Sequence, residues 1–229
     1  MFKYPSIEQF RHVVKEVLDQ AGYHGVRPPT LQFEGTVKLH GTNASIYVPD
    51  GGGDIKFYSR SRAITPEDDN FGFAAALVHH ADVIRALAKV AANHLRLYSQ
   101  NPPCTGVTLF GEWCGPGIQK GVGISKIDER RFFIFDALGH SDCGDEWLPK
   151  SALLWMEASD ILQILPQFKT YTLDIDFSKP EEAVPELLEI TKRVEDCCPV
   201  SKASGVVGVG EGVVWKCEQP WIIEGRDIL

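Results

Sequence analysis

The sequence lacks the features that mark several classes of protein. Its six cysteines include no Cys-x-x-Cys pair, the spacing that is typical of zinc and thiol redox sites. The first ten residues, MFKYPSIEQF, contain no apolar core of a secretory signal. No stretch approaches the roughly 20 consecutive apolar residues of a membrane-spanning helix. We therefore expect a cytoplasmic protein with free thiols and no membrane partner.

Positive charge is also scarce. The 229 residues include 23 lysines and arginines against 31 aspartates and glutamates, which gives a formal net charge of −8. Since no global basic field indicates nucleic-acid binding, a polyanionic partner would have to be held by a local groove. A small phosphorylated substrate is equally compatible with this charge.

The chain is long enough for one large domain with its own core. Helical periodicity predicts helices near residues 6–22, 71–98, 151–165 and 181–196. The first helix would open with a capping box of Ser6 and Gln9 and end at Gly22. Strands are predicted for the segment ending at Lys38 and for ASIYV, IKFYSRSR, VTLFGEWCG, RFFIFDAL, KTYTLDI, GVVGVGEGVVWKC and PWII. Because the strands come in hairpins with helices inserted between them, we predict an α+β fold with mostly antiparallel sheets.

The segment TVKLHGTN places a lysine and a histidine two residues apart before a glycine turn. Strand alternation puts Lys38 and His40 on one face and Val37 and Leu39 on the other. If the apolar pair faces the core, the lysine lies at the mouth of a pocket. A single lysine on a strand is usually a solvated residue. A lysine held near a histidine and other cations can instead lose its proton and act as a nucleophile.

A second basic pattern occurs in FYSRSRAI. Lys56, Tyr58, Arg60 and Arg62 alternate on one face of the predicted strand. The pattern is typical of an exposed basic edge. It also fits a phosphate clamp, because arginine forks match phosphate oxygens.

Three further segments carry side chains that suit nucleotide chemistry. In LFGEWCG, Glu112 ends a buried strand, where it could bind a ribose hydroxyl or cap a turn. In RFFIFDAL, Phe133 and Phe135 share a face that forms either core or a wall for a purine base. In GEGVVWK, Glu211 begins a strand and is a plausible magnesium ligand. Lys216 follows Glu211 by an odd number of residues, and side chains alternate along a strand, so the two need not share a face.

Together these segments form an ordered set that resembles the covalent nucleotidyltransferase superfamily of ATP-dependent ligases and capping enzymes. The signature of that superfamily, Lys-x-(Asp/His)-Gly, is present as KLHG. The segments KLHGTN, LFGEWCGPGIQKG, FFIFDAL and EGVVWK are similar to the RNA ligase 2 and RNA-editing ligase branch; DNA ligases usually have aspartate in place of His40. The resemblance covers Val37 to Lys216. It implies the ATP-grasp-like ligase fold, with antiparallel sheets and inserted helices around a nucleotide pocket.

The resemblance also implies a reaction and a site for it. Lys38 would attack the α-phosphate of ATP and form lysyl-AMP, which passes to a 5′-phosphate RNA end before a 3′-hydroxyl seals the strand. Other nucleotide-binding positions on the same strand and turn would be Leu39, His40 and Asn43. Arg60, or else Arg62, would contact AMP and phosphate. The implied cofactors are ATP and Mg²⁺ or Mn²⁺, the implied partners are ATP and RNA ends, and we expect a monomer.

The remaining roles implied by the resemblance fall on the later segments. Glu112 would hold the ribose, and Phe135, or Phe133 as a second choice, would stack on adenine. Glu211 would bind the catalytic metal ion. Lys216 would contact phosphate or RNA.

The sequence departs from this family pattern in two places. Val37 stands where many relatives have an acidic residue that could read the adenine amino group, so the choice of ATP is open. The final pair of lysines of the family is absent, since the chain stops at Leu229. We therefore expect residues 1–229 to be a single nucleotidyltransferase domain that lacks its C-terminal end. The alternatives are a non-catalytic relative that binds nucleotides or RNA ends, a DNA ligase, and a capping guanylyltransferase.

Overall fold

The computed structural model describes residues 3–98, 104–217, 221–224 and 226–227. Its α-helices are α1 (Phe10–His24), α2 (Phe73–Leu77), α3 (Ala81–Tyr98), α4 (Lys150–Leu153), α5 (Val184–Asp196) and α6 (Pro199–Ala203). Its strands are β1 (Thr30–Lys38), β2 (Thr42–Pro49), β3 (Lys56–Ser59), β4 (Ala63–Ile64), β5 (Gly106–Cys114), β6 (Arg131–His140), β7 (Glu146–Trp147), β8 (Leu162–Ile164), β9 (Thr170–Asp176), β10 (Gly212–Cys217), β11 (Ile222–Ile223) and β12 (Arg226–Asp227). Among the helices in these ranges, none is long and apolar enough to cross a membrane.

The strands form two main sheets and a short pair. The large sheet has the order β4-β3-β2-β5-β6-β7, with β8 added to β6. The small sheet has the order β10-β1-β9, and β11 pairs with β12. Every described pairing is antiparallel except that of β8 with β6. The prediction of an α+β fold with mostly antiparallel sheets is therefore confirmed.

Helices cover one face of each sheet. In the large sheet, Ile46 and Leu109 are fully buried in a cluster that includes the apolar side of α3. In the small sheet, Phe33 and Leu173 pack with Val17 of α1. Both contacts follow from strand alternation, which places every second side chain on the covered face.

A third apolar cluster joins the two sheets. Val37 and Leu39 of the small-sheet side pack in it with Phe133 of the large sheet, and each is at most 7% exposed. Lys38, between them in sequence, is exposed on the other side. The predicted division of this strand into an apolar face and a lysine face is confirmed.

The start of the chain differs from the sequence prediction. Helix α1 begins one residue after Gln9, which makes no side-chain cap, so the predicted capping box of Ser6 and Gln9 is wrong. The preceding segment leads instead to the large sheet, where Tyr4 is bound. The helix also continues past Gly22 to Gly25, whose left-handed backbone (φ 63°) ends it.

Three other elements are shorter than predicted. The helix expected near residues 151–165 is limited to α4, because residues 162–164 pair as β8 with the edge of β6. The helix expected over 71–98 is divided by a 3₁₀ turn, Val78–His80, into α2 and α3. The strand expected over IKFYSRSR ends at Ser59 and turns back as β4.

The close approach of β5 and β6 at Gly111 yields a stability prediction. A Cβ atom at this position would lie 2.5 Å from the Phe132 ring and 2.6 Å from the Phe133 carbonyl oxygen. Gly111→Ala should therefore lower the free energy of unfolding by about 1–3 kcal/mol through overpacking. Urea denaturation measures the change.

Gly22→Ala is the matched control. Gly22 lies within α1, and a Cβ there meets nothing within 4 Å. The substitution should raise the free energy of unfolding by about 0.5–1 kcal/mol, because alanine loses less backbone entropy in a helix. Equal effects at the two glycines would contradict the packing argument.

Candidate active site

The pairing of β1 with β10 brings Lys38 and Glu211 together. Lys38 lies opposite Gly212, so the residue before Gly212 comes alongside the lysine. One oxygen of the Glu211 carboxylate accepts a hydrogen bond from the Lys38 amine, and the other lies 3.4 Å from His40 Nδ1. Among the described residues, Lys38 and His40 thus share one carboxylate, that of Glu211.

Glycines hold the segment before Glu211 in place. A Cβ atom at Gly208 would lie 2.6 Å from the Cα of Gly123, and one at Gly210 would lie 2.5 Å from the Val194 carbonyl oxygen. The segment was predicted as a strand, but the described strand begins only at Gly212. The glycines let this segment pass against α5 and the turn at residues 123–126, which fixes where Glu211 enters the site.

Glu112 and Gln119 hold the glycine that follows the Lys-x-His pair. The Gly41 N–H donates to Glu112 Oε1 at 3.2 Å, and the Gln119 side-chain amide donates to the Gly41 carbonyl oxygen at 3.1 Å. A Cβ atom at Gly41 would lie 2.6 Å from Cys114 Sγ, so this position has room for glycine alone. Gln119 was not among the predicted site residues, although its segment GPGIQ directly follows the predicted Glu112 segment.

The Glu112 carboxyl has a pKa raised to about 7. Burial is the largest cause, and the negative charge of Glu211 adds to it. The hydrogen bond from Gly41 and the charges of Lys38 and Arg60 act in the opposite direction. The carboxyl therefore takes up a proton much closer to neutral pH than an ordinary glutamate does, and in the protonated form it can donate a hydrogen bond as well as accept one.

The two predicted clamp arginines have different surroundings. Since β3 ends at Ser59, Arg60 and Arg62 lie in a turn, and the prediction that they share a strand face is wrong. Arg62 pairs with Asp68 at 2.7 Å and also donates to nearby backbone carbonyls. Arg60 is exposed, and its charge acts on Glu112. The structure thus brings Arg60, rather than Arg62, to the candidate site.

A β-bulge shapes a second part of the site, the aromatic end, which is built from Tyr4, Phe135, Asp136, Trp147 and Lys216. The β5–β6 register pairs Phe110 with Asp136 and Gly111 with Ile134, which leaves Phe135 as the extra residue. A bulge can turn neighbouring side chains toward one side of a sheet. Accordingly, Phe135 and Asp136 both contact Tyr4, at 4.9 Å between ring centroids and 3.1 Å from the Tyr4 hydroxyl.

Tyr4 is a site residue that the sequence pattern did not indicate, since it lies outside every predicted element. Burial raises the pKa of its hydroxyl, and Asp136 reinforces the effect. Phe133, the second choice for base stacking, is fully buried and packs on Phe168. Only Phe135 of the two phenylalanines therefore borders this aromatic end.

Lys216 also lies at the aromatic end. Its amine is 2.7 Å from Asp136 Oδ2 and 5.4 Å from the centre of the Trp147 ring. It stands four residues along β10 from Gly212, which pairs with Lys38. A phosphate contact by Lys216 stays a prediction.

Two further predicted positions flank the Lys38 end. Leu39 is buried in the cluster between the sheets, so only its backbone is available to a nucleotide. Asn43 is half-buried and lies directly opposite Glu112 in the β2–β5 register. The site therefore has a charged end built from Lys38, His40, Asn43, Arg60, Glu112 and Glu211, and an aromatic end built from Tyr4, Phe135, Asp136, Trp147 and Lys216.

The raised pKa of Glu112 predicts a pH-dependent stability. Folding raises this pKa from its ordinary value of 4.5 to about 7. Between these values the folded state binds more protons than the unfolded state, so rising pH destabilises the protein. From pH 5 to pH 8 the chain should lose up to about 3 kcal/mol relative to Glu112→Gln. Urea denaturation of both proteins at the two pH values measures the difference, and parallel pH profiles would contradict it.

Comparison with known proteins shows which family and fold this chain resembles. The sequence profile of the RNA ligase family matches residues 31–229. A lysine mutant of Naegleria gruberi RNA ligase with AMP and manganese has a TM-score of 0.54 and 16% identity, with coverage of 95% of this chain and 53% of that one. A second lysine mutant of that ligase, with ATP and manganese, has a TM-score of 0.55 and 18% identity, with coverage of 94% of this chain and 53% of that one. The same ligase with pyrophosphate has a TM-score of 0.55 and 17% identity, with coverage of 95% of this chain and 52% of that one.

The structural matches confirm the nucleotidyltransferase type of fold, and this chain spans about half the length of the ligases that it matches. The family profile extends over most of the chain and includes Lys38, Glu112 and Glu211. The resemblance found in the sequence segments is thus confirmed. The chain belongs to the RNA ligase family.

Proposed function

We propose that this chain is the nucleotidyltransferase domain, residues 1–229, of an ATP-dependent RNA ligase that forms lysyl-AMP and joins 3′-hydroxyl to 5′-phosphate RNA ends. One observation carries the proposal: the Lys38 amine meets the Glu211 carboxylate in the charged end of the site, with the aromatic end further along β10. Family membership supports it, as do the Naegleria gruberi ligase structures with AMP and ATP.

In the first step, the lone pair of Lys38 Nζ attacks the α-phosphorus of ATP. A nitrogen–phosphorus bond forms, the bond to pyrophosphate breaks, and the released pyrophosphate takes up the proton that the attacking amine loses. Glu211 accepts the hydrogen bond of this amine and so orients Nζ. Arg60 lies near enough for its charge to act on Glu112, and it is proposed to contact AMP and phosphate.

The donor set of the charged end fits a divalent cation. Glu211 supplies a carboxylate, and its charge acts on the second carboxyl group, that of Glu112. Magnesium is commonly held by one or two carboxylates together with substrate phosphates. A cation bound by Glu211 would supply neutralisation of phosphate charge in the transfer step. The Naegleria gruberi ligase structures with nucleotide contain manganese, and we propose Mg²⁺ or Mn²⁺ for this chain.

The aromatic end is proposed to hold the adenine. Phe135 offers a ring for stacking, and Tyr4 contacts that ring edge-on. Asp136 and Lys216 place polar atoms beside it, so they are candidates for contacts to the edge of the base. Glu112, in the charged end, is proposed to bind a ribose hydroxyl, which the raised pKa of its carboxyl suits.

In the later steps, the 5′-phosphate of one RNA end takes AMP from Lys38, and the 3′-hydroxyl of the other end then displaces AMP. His40 and Asn43 are proposed to organise the phosphate and the RNA ends. We further propose that the protein acts as a monomer in the cytoplasm. The free thiols of Cys104, Cys114, Cys143, Cys197 and Cys198 support that compartment.

Covalent labelling tests the first step. Incubation with α-labelled ATP and a divalent cation should label the chain, and Lys38→Ala should reduce the label roughly 10³-fold or more, because the nucleophile is lost. A denaturing gel measures the label. Lys15→Ala, which removes an exposed lysine from α1, is the matched control and should leave labelling unchanged.

Other outcomes separate the alternatives. Label from GTP alone would indicate a capping enzyme, and label that persists in Lys38→Ala would contradict the assignment of the nucleophile. If no nucleotide labels the chain, an RNA nick that already carries 5′-AMP tests the later steps. Failure to seal that nick as well would indicate a binding-only relative.

The assignment of Phe135 gives a separate prediction. Phe135→Leu should raise the KM for ATP in lysyl-AMP formation by about tenfold, since stacking on an aromatic ring is worth about 1–3 kcal/mol per base. Phe135→Tyr keeps the ring and should leave KM nearly unchanged. Initial rates of labelling at several ATP concentrations measure both. Equal KM values for the two variants would contradict stacking on this ring.

A further inference from the structure

A groove lies at the end of the large sheet that is remote from Lys38. Its walls are α3, the glycine loop after β2, and the start of β5. Strand β2 runs from Thr42, beside the candidate site, to Pro49, on the groove wall, a length of roughly 23 Å. The groove is therefore a separate feature from the candidate active site.

Helix α3 presents a row of cations to this groove. Arg85, Lys89 and Arg96 all line it, and their spacings of four and seven residues place them on one face of the helix. The row extends about 16 Å along the helix axis. Ala88 and Ala92 line the groove between these side chains, and both are at most 6% exposed.

Both arginines of the groove bind neighbouring protein groups and keep further N–H donors for a ligand. Arg85 donates to the Gly53 carbonyl oxygen at 2.8 Å, and Arg96 pairs with Asp50 at 2.8 Å. A guanidinium has five N–H donors, so each keeps others for a ligand. Lys89 is exposed. Among the described residues that line the groove, the charged side chains are thus three cations and one carboxylate, in a protein of net charge −8.

We propose that this groove binds the phosphodiester backbone of RNA at a distance from the ends that are joined. Guanidinium forks and lysine amines match phosphate oxygens, and a row of this length can meet several consecutive phosphates. A local cationic groove is what an acidic protein requires to hold a polyanion. The inference rests on the proposed RNA substrate, but it does not depend on the chemistry of Lys38.

Salt-dependent RNA binding tests the groove. Fluorescence anisotropy with a labelled single-stranded RNA over a series of salt concentrations gives the slope of log affinity against log salt. The double variant Lys89→Gln/Arg96→Gln should bind RNA more weakly. Its slope should be less steep by about 1.4, because each phosphate contact on a single strand contributes about 0.7. Lys15→Gln/Lys192→Gln removes the same charge from exposed positions on α1 and α5 and should keep the slope.

Several results would overturn the proposal. Equal slopes in the groove variant and the unchanged chain would do so, as would an equal loss in the control variant or an unchanged chain that binds no RNA. Inorganic phosphate in place of chloride at equal ionic strength provides another arm. If the variant and the unchanged chain bind RNA with equal slopes and only the variant has lost binding of inorganic phosphate, the groove is a site for a small anion rather than for RNA.

Covalent labelling separates this proposal from the proposed catalysis. Lysyl-AMP formation involves no RNA, so the groove variant should label as fully as the unchanged chain. If the groove variant has a changed slope and neither the variant nor the unchanged chain is labelled, the result supports the groove and contradicts the proposed catalysis. Labelling with no slope change contradicts the groove alone.

Discussion

The antiparallel pairing of β1 with β10 is the contact on which the candidate site depends. It sets Lys38 opposite Gly212, and this register brings the Glu211 carboxylate to the lysine amine. A shift of one residue in the register would turn the side chains of β10 to the opposite face. The apolar cluster beneath the strand, which contains Val37 and Leu39, opposes such a shift because it would expose buried side chains.

In the loops, which have no regular strand pairing, glycines fix the path of the chain as closely as the β1–β10 register fixes the strands. Gly41 fits between Glu112 and Gln119, while Gly208 and Gly210 let the segment before Glu211 pass against the backbone of its neighbours. Each contact is too close for a side chain. Lys38 and the Glu211 carboxylate therefore meet in one geometry, even though Lys38 is the last residue of β1 and Glu211 precedes the first residue of β10.

The sequence predicted the parts of the site that follow a period and left out those that depend on tertiary contacts. Strand alternation correctly placed Lys38 apart from Val37 and Leu39, since a period of two survives folding. The turn that separates Arg60 from Arg62, the bulge that turns Phe135 and Asp136 toward one side, and the approach of Tyr4 from outside any element have no such period. The predicted helix near residues 151–165 failed for a related reason. Residues 162–164 pair as a strand with the open edge of β6, and the local sequence carries no information about that edge.

The central place of β1 in the small sheet has a consequence for how the protein is made. Both neighbours of β1 lie far from it in sequence: β1 ends at Lys38, whereas β9 begins at Thr170 and β10 at Gly212. Contacts of such long sequence separation form slowly, because a long loop must close before they gain anything. During synthesis, the strands of the large sheet have all left the ribosome before β1 meets either partner. Strand β1, which carries Lys38, therefore stays unpaired until β9 and β10 have been made, and the candidate site assembles after the large sheet.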